Sequence, residues 1–289
     1  MNAVARSYLY VPGDRPDLMV KALARGADAL ILDLEDAVAP ASKVAARRLV
    51  AEFLALPRDT EGAAPALWVR LNPGAATGLD LDAVVGKELV GVCLAKAETA
   101  EEVVAVAAAL DDLEQQRGIE PRTIAISPLL ESAAAVLRAQ QIASVPRVSQ
   151  VQVGEADLCA DVGVELGPDE REMLWARSQV VFASAAAGAQ PPVGPVSTNY
   201  TDLDAFYAST LALKRLGYRS RACIHPAQIS IVNEVFTPTE DDIARARSMI
   251  LALETAVRNG RSVFFTDSFG RLVDPALVRI ARRVLATAR

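Results

Sequence analysis

The chain has little histidine, little cysteine and no excess of basic charge, and each shortage removes a class of function. A single histidine, His225, among 289 residues leaves no imidazole cluster for zinc. Three cysteines, Cys93, Cys159 and Cys223, are odd in number and lack C-x-x-C spacing. They signal neither a disulfide framework nor a zinc cluster, and read as reduced thiols of a cytoplasmic protein. Lys and Arg number 30 against 36 Asp and Glu, a net charge of -6, which speaks against a nucleic-acid binder but leaves room for local basic patches that meet a phosphorylated ligand. The opening MNAVARSYLY has no signal-peptide core, and no charge-free apolar run approaches the roughly 20 residues of a membrane span. Val180 to Val196 comes nearest and is broken by Pro191, Pro192 and Pro195. The first turn, VPGDRPD, is not a glycine-rich dinucleotide fingerprint.

What is present is a strand and helix rhythm. With 52% hydrophobic composition the chain can bury a large core. Apolar runs recur at SYLYVPG, ADALILDLED, ALWVRLN, GVCLAKAE, TIAISPLLES, VSQVQVGEAD, PPVGPVST and RACIHPA. Eight strands close a parallel barrel, and several runs are apolar on successive residues, as strands covered on both faces are. The expected fold class is α/β, a TIM (β/α)8 barrel with a C-terminal helical extension. Thr99 with Glu102 matches a capping box, followed by Val103, Val106, Leu110 and Leu113 at helical spacing until Gly118. Ser42 is expected to cap a helix carrying Ala45, Leu49, Phe53 and Leu56 on one face. The spacing places the barrel in residues 1–236. Residues 237–289 are surplus to it: a helix from about Thr239 to Asn259, a loop with Phe264, Phe265, Phe269 and Gly270, and a last helix. Lid, subunit contact and terminal helix packed on the barrel wall are all open readings of that surplus.

Barrel enzymes carry function at the carboxyl ends of their strands, and those ends are polar here. Glu131 closes the fifth run and Asp157 the sixth. Two carboxylates on neighbouring strands can share one Mg²⁺, which takes one or two protein carboxylates and keeps several waters; a pair of surface acids is the equal rival. Glu35 and Asp36 are either outer acceptors for metal-bound water or partners for arginines. Arg70, after Leu67-Trp68-Val69, is expected to project into the barrel mouth, where it holds a carboxylate, stabilises an enolate or pairs with a rim acid. His225 at the eighth strand end is a tempting base, yet hydrogen bonding or ligand packing is favoured for it. Lys96 and Arg15 are candidates for phosphate or carboxylate contact.

These residues sit in segments that resemble the citrate lyase β-subunit-like family of CoA ester lyases, which includes malyl-CoA and citramalyl-CoA lyases. RSYLYVPGDRPD, ADALILDLEDAVAP, VRLNP, LAKAE, LLES, GEADLCADVG, CIHPAQI and VNEVFTPTEDDIARA match it in order over nearly the whole chain. The resemblance implies Mg²⁺ dependence and reversible cleavage of a 3-hydroxyacyl thioester bearing a carboxylate, giving acetyl-CoA or propionyl-CoA and a keto acid. It implies Glu131 and Asp157 as the metal ligands and Arg70 at the keto-acid end. Tyr10, Arg15 and Lys21 fall in the segment that contacts CoA in relatives, and Ala156, Ile224 and His225 line the substrate path. It also implies a catalytic aspartate from a neighbouring subunit, at Asp274 in GRLVDPALVRIARR, and so a homotrimer or a dimer of trimers. Asp14 and Asp17 depart from the lysine-rich segment of some malyl-CoA lyases. A citryl-acyl-carrier-protein lyase subunit and a catalytically silent CoA or keto-acid binder stand as alternatives. The class II pyruvate aldolases need a histidine base near the early strands, and His225 is not there.

Overall fold

A computed structural model describes residues 5–56, 64–259, 265–266 and 272–288. Eight parallel strands close in chain order: β1 (Ser7–Pro12), β2 (Ala29–Asp33), β3 (Ala66–Leu71), β4 (Leu89–Leu94), β5 (Ala125–Leu130), β6 (Gln152–Val153), β7 (Val193–Gly194) and β8 (Ser220–Cys223), with β8 pairing back on β1. Between them run α1 (Pro16–Ala22), α2 (Lys43–Leu54), α3 (Ala76–Val84), α4 (Ala100–Arg117), α5 (Ala133–Leu137), α6 (Ala139–Ala143), α7 (Glu155–Val162), α8 (Leu174–Ala187) and α9 (Leu203–Leu216), and α10 (Ala227–Phe236) follows β8. This is a (β/α)8 TIM barrel.

The successive apolar residues of β2 and β4 have the expected cause. All five residues of β2 are buried, with one side chain facing the barrel axis and the next facing the helices. Tyr8, Ala29, Ile31, Trp68, Cys93, Val193 and Ala222 form one buried cluster. Gly91 makes room for Trp68, since a Cβ there would stand 2.3 Å from the indole. One stretch of the wall is polar. Gln150 donates to the Tyr8 hydroxyl at 2.7 Å, and Gln152 donates to Ser127 Oγ at 3.1 Å and Cys93 Sγ at 3.0 Å while accepting from the Tyr10 hydroxyl at 3.3 Å. These satisfied amides keep a buried polar interior tolerable. Burial pushes both the Tyr8 and the Cys93 groups up, Cys93 to about 12, so neither ionises near neutrality.

Helix termini follow their sequence signals in part. The Thr99–Glu102 capping box opens α4, and Gly118 closes it at φ 61°, a left-handed conformation that glycine adopts without strain. Ser42 does not cap α2. It ends a 3-10 turn, Pro40–Ser42, in helical conformation, so its hydroxyl is not offered to the helix amides. The buried face of α2 is Ala46, Val50, Phe53 and Leu54; Ala45 is exposed and Leu56 is 50% exposed. The sixth and seventh strands are also shorter than their apolar runs, two residues each, because GEAD turns into α7 at once and prolines flank Val193.

The chain divides into two compact units, Ala5–Asn233 holding the barrel and Glu234–Arg289 forming the second. In the second, α11 (Glu240–Arg258) starts at a Thr239–Asp242 capping box, β9 (Phe265–Thr266) pairs antiparallel with β10 (Leu272–Val273), and α12 (Pro275–Thr287) packs on α11. Phe264, Phe269 and Gly270 of the expected loop lie outside the described residues. Among those residues no helix is long and apolar enough to cross a membrane.

Candidate active site

Glu131 follows the last residue of β5 and is 6% exposed. Its Oε2 accepts the Lys96 backbone N–H at 2.6 Å, which leaves Oε1 without a protein donor among the described residues. Lys96 reaches it from a left-handed conformation, φ 52°, unusual for a residue with a side chain. Gly154 closes the other side: a Cβ there would lie 2.4 Å from Glu131 Cγ and 2.7 Å from Oε1. Burial, and to a lesser degree the nearby charge of Asp157, push the Glu131 carboxyl up to about 7 against the hydrogen bond from Lys96 and the charge of Arg70.

Asp157 belongs to the first turn of α7 rather than to the end of a strand, a correction to the expectation from the run VSQVQVGEAD. Its carboxylate is exposed and has no ion-pair partner among the described residues. One carboxyl strained by burial and a second without a cation make an oxygen-only donor set that fits a hard divalent ion. No group of three or more His, Cys, Asp or Glu suited to a metal exists among the described residues. A cation here would therefore take most of its ligands from water or substrate, as Mg²⁺ does.

Arg70 is held beside this pair by register. Its Cα is the β3 partner of Asp33 on β2, both side chains point inward, and the guanidinium forms a fork with Asp33: Nε to Oδ1 at 2.7 Å and Nη2 to Oδ2 at 2.6 Å. Nη1 lies 3.1 Å from Glu35, and the guanidinium carbon stands 5.0 Å above the Tyr10 ring. Burial works against the charge, yet the hydrogen bonds and charge of Asp33 outweigh it and raise the Arg70 pKa. Asp33 also accepts from the backbone N–H groups of Glu35 and Ala37 at 2.9 and 3.1 Å, so the loop after β2 is folded around it. Lys96 Nζ completes the cluster, 2.5 Å from Glu35 and 3.5 Å from Asp36. Ion pairing is thus what the structure shows for Glu35 and Asp36. In this group, among the described residues, Asp33, Glu35, Asp36, Glu131 and Asp157 face Arg70 and Lys96, a surplus of negative charge that a divalent cation would offset.

The remaining expected residues are placed as follows. Arg15 and Lys21 are exposed and both pair with Asp17, at 3.1 and 3.7 Å. Tyr10, Lys21 and Ile224, with Arg25 and Pro226, line a cavity of about 140 Å³ beside α1. Ala156 is exposed in the first turn of α7. His225 is exposed, stacks on Tyr200 at 5.0 Å, and accepts the Ala227 N–H at Nδ1 from 3.2 Å, a hydrogen-bonded and packing role rather than that of a base with a carboxylate partner. Asp274 lies in the second unit, where it caps α12 by accepting the Leu277 N–H at 2.8 Å. A larger cavity, about 340 Å³, opens between α3 and α4; Lys96 is part of its wall but neither Glu131 nor Arg70 is. Sequence reasoning left Asp33, Gly154 and the backbone of Lys96 without roles. For Asp33 a signal existed, since alternation along β2 and β3 puts it on the same inward face as Arg70.

The family profile described as HpcH/HpaI aldolase/citrate lyase matches residues 6–226. A citrate lyase subunit beta-like protein of Deinococcus radiodurans is 37% identical over 288 residues, covering 98% of this chain and 97% of the relative. An L-malyl-CoA/beta-methylmalyl-CoA lyase of Cereibacter sphaeroides is 31% identical, covering 98% and 94%. Among solved structures, protein CitE of Mycobacterium tuberculosis in complex with magnesium, acetoacetate and coenzyme A superposes with a TM-score of 0.77 at 29% identity, covering 99% of this chain and 98% of that one.

Proposed function

The chain belongs to the HpcH/HpaI aldolase/citrate lyase family, a family of carbon–carbon lyases, and from that premise we propose that it cleaves a 3-hydroxy-dicarboxylic acyl-CoA, of the malyl-, methylmalyl- or citramalyl-CoA type, into acetyl-CoA or propionyl-CoA and a keto acid. The observation that carries this reading is the Glu131 and Asp157 pair set beside a fixed Arg70 at one end of the barrel.

Breaking the carbon–carbon bond of a β-hydroxy thioester requires loss of the hydroxyl proton and stabilisation of the departing thioester enolate. Mg²⁺, when bound by Glu131 and Asp157, would supply Lewis acidity toward the hydroxyl and carboxylate of the substrate. Arg70 does the anion binding. A guanidinium has five N–H groups; two go to Asp33 and one points at Glu35, leaving two to meet the carboxylate or the enolate oxygen. Because Asp33 fixes the fork before substrate arrives, little reorganisation is needed at the moment of reaction. Asp274 of a neighbouring subunit is the proposed proton carrier, which entails a homotrimer or a dimer of trimers. Tyr10, Arg15 and Lys21 are the proposed CoA contacts, Tyr10 and Lys21 lining the cavity beside α1, and Ala156, Ile224 and His225 are the proposed lining of the substrate path.

A second reading, the same chemistry on a citryl acyl-carrier protein, is favoured by the likeness to a citrate lyase subunit beta-like protein. Mass spectrometry of malyl-, methylmalyl-, citramalyl- and citryl-CoA with the protein tests both. Release of acetyl-CoA or propionyl-CoA from one ester, lost with EDTA, is the expected result. Turnover of citryl acyl-carrier protein alone would move the assignment to the second reading, and turnover of none would overturn both.

A further inference from the structure

Beneath the barrel mouth lies a buried ion cluster that the chemistry above does not use. Glu155 opens α7 and is 6% exposed; Arg177, on α8, is 4% exposed. Nε and Nη2 of Arg177 donate to the two oxygens of Glu155 at 2.5 and 2.6 Å. Nη2 also lies 2.8 Å from Glu170, whose carboxylate accepts the Ser209 hydroxyl of α9 at 2.8 Å. The Tyr218 hydroxyl donates to the Arg177 carbonyl at 3.2 Å. A buried ion pair contributes little more to stability than a well-packed apolar pair would, because desolvating both charges costs about as much as their attraction returns. What it does supply is direction, since a two-pronged carboxylate–guanidinium fork tolerates one orientation.

That direction bears on Asp157. Residues in an α-helix step by about 100°, so Glu155 and Asp157, two apart, project from nearly opposite sides of α7. The helix is also pinned at its start, where Gly154 N–H donates to the carbonyl of Leu130 at 3.0 Å, one residue before Glu131. Toward its end Asp161 accepts the Ala133 N–H at 2.8 Å, so what is left for the side chains of the first turn to set is the rotation of that turn about the helix axis. We propose that the Glu155–Arg177 fork fixes that rotation and thereby aims the Asp157 carboxylate at the ion shared with Glu131; the inference rests on the Mg²⁺ reading above. Arg177 is then a positioning residue two steps removed from substrate.

The test measures Mn²⁺ binding by the electron paramagnetic resonance signal of the free ion, together with thermal melts in EDTA. The double variant E155L/R177L removes both charges and keeps apolar volume; R177K keeps the charge and loses the fork. E155L/R177L is expected to melt within a few degrees of the wild type while its Mn²⁺ Kd rises about tenfold or more, the scale seen when groups orienting a metal ligand are removed. R177K is expected to lie between. As a control, E114L/R147L breaks a different buried pair, one that joins α4 to the segment before β6, and should leave the Kd unchanged. A folded E155L/R177L or R177K with wild-type Kd overturns the positioning role. Failure of both to fold assigns the pair to stability alone and overturns it equally. D157A separates the two levels of the argument: wild-type Mn²⁺ binding in that variant would remove the metal reading itself.

Discussion

Arg70 and Glu131 are the two side chains whose surroundings set their chemistry most firmly. Arg70→Lys keeps the charge and loses the fork to Asp33, so kcat/KM is expected to fall about 10²-fold or more in steady-state assays. Arg70→Met leaves Asp33 and Glu35 buried without that cation, and urea unfolding should show a loss of about 3–5 kcal/mol. Glu131 gives a pH signature. Its folded pKa is raised, so the folded protein holds that proton more tightly than the unfolded chain. Its contribution is therefore favourable below about 4.5 and is lost as pH rises to about 7. In EDTA the wild type should lose up to about 3 kcal/mol relative to Glu131→Gln across that window. Proton competition should weaken Mg²⁺ binding about fivefold from pH 7 to pH 6 and about tenfold from pH 6 to pH 5, measured by calorimetry. Both residues were legible from their place at strand ends. The partner that makes Arg70 rigid was half legible: alternation puts Asp33 of LILDLED on the inward face, but only the register of β2 against β3 sets it opposite Arg70.

At the scale of elements, the loop from β6 into α7 carries most of the consequence. Gly154 has φ -92°, so alanine meets no backbone barrier there; the obstacle is Glu131 itself. Gly154→Ala should displace the Glu131 carboxylate and weaken Mg²⁺ at least tenfold by calorimetry, with a stability cost of about 1–3 kcal/mol from overpacking. The strand and helix alternation was readable because period and punctuation agree in β1 to β5 and in α4, where Thr99, Glu102 and Gly118 mark both ends. It was less readable where tertiary context overrides local pattern. VSQVQV looks like a six-residue strand, yet only Gln152 and Val153 form the named strand, Val148 makes an isolated bridge to Ile126, and Asp157 reaches the mouth from a helix. Ser42 has the right residue type for a cap, but the preceding proline turn places it in helical conformation.

At the scale of the whole molecule, the question is whether the second unit lends a residue to another chain's barrel. Asn caps helices about as well as Asp, so Asp274→Asn should leave α12 intact and isolate the chemistry of the carboxylate. Turnover is expected to fall about 10²–10⁴-fold with Mg²⁺ binding unchanged. Subunits carrying Asp274→Asn, refolded together with subunits carrying Glu131→Gln, should regain activity that neither has alone. Initial rates of the mixture that stay at the level of the separate variants would place Asp274 outside the neighbouring site. The sequence pattern marks a residual segment after the barrel; the proposed partnership with another chain is not written in any periodicity, since such a contact depends on surfaces rather than on local structure.

The short β6 and β7 have a further consequence. They exchange a single register pair, Gln152 with Val193, and β5 meets β6 through two, so the hoop is stitched most thinly on the side from which α7 hangs. Glu131 follows β5 and Asp157 follows β6, so the two stand on either side of the two-pair β5–β6 seam. An ion gripped by both would act as a staple across it, and deuterium uptake at residues 150–162, fast in EDTA, should slow selectively when the divalent cation is added.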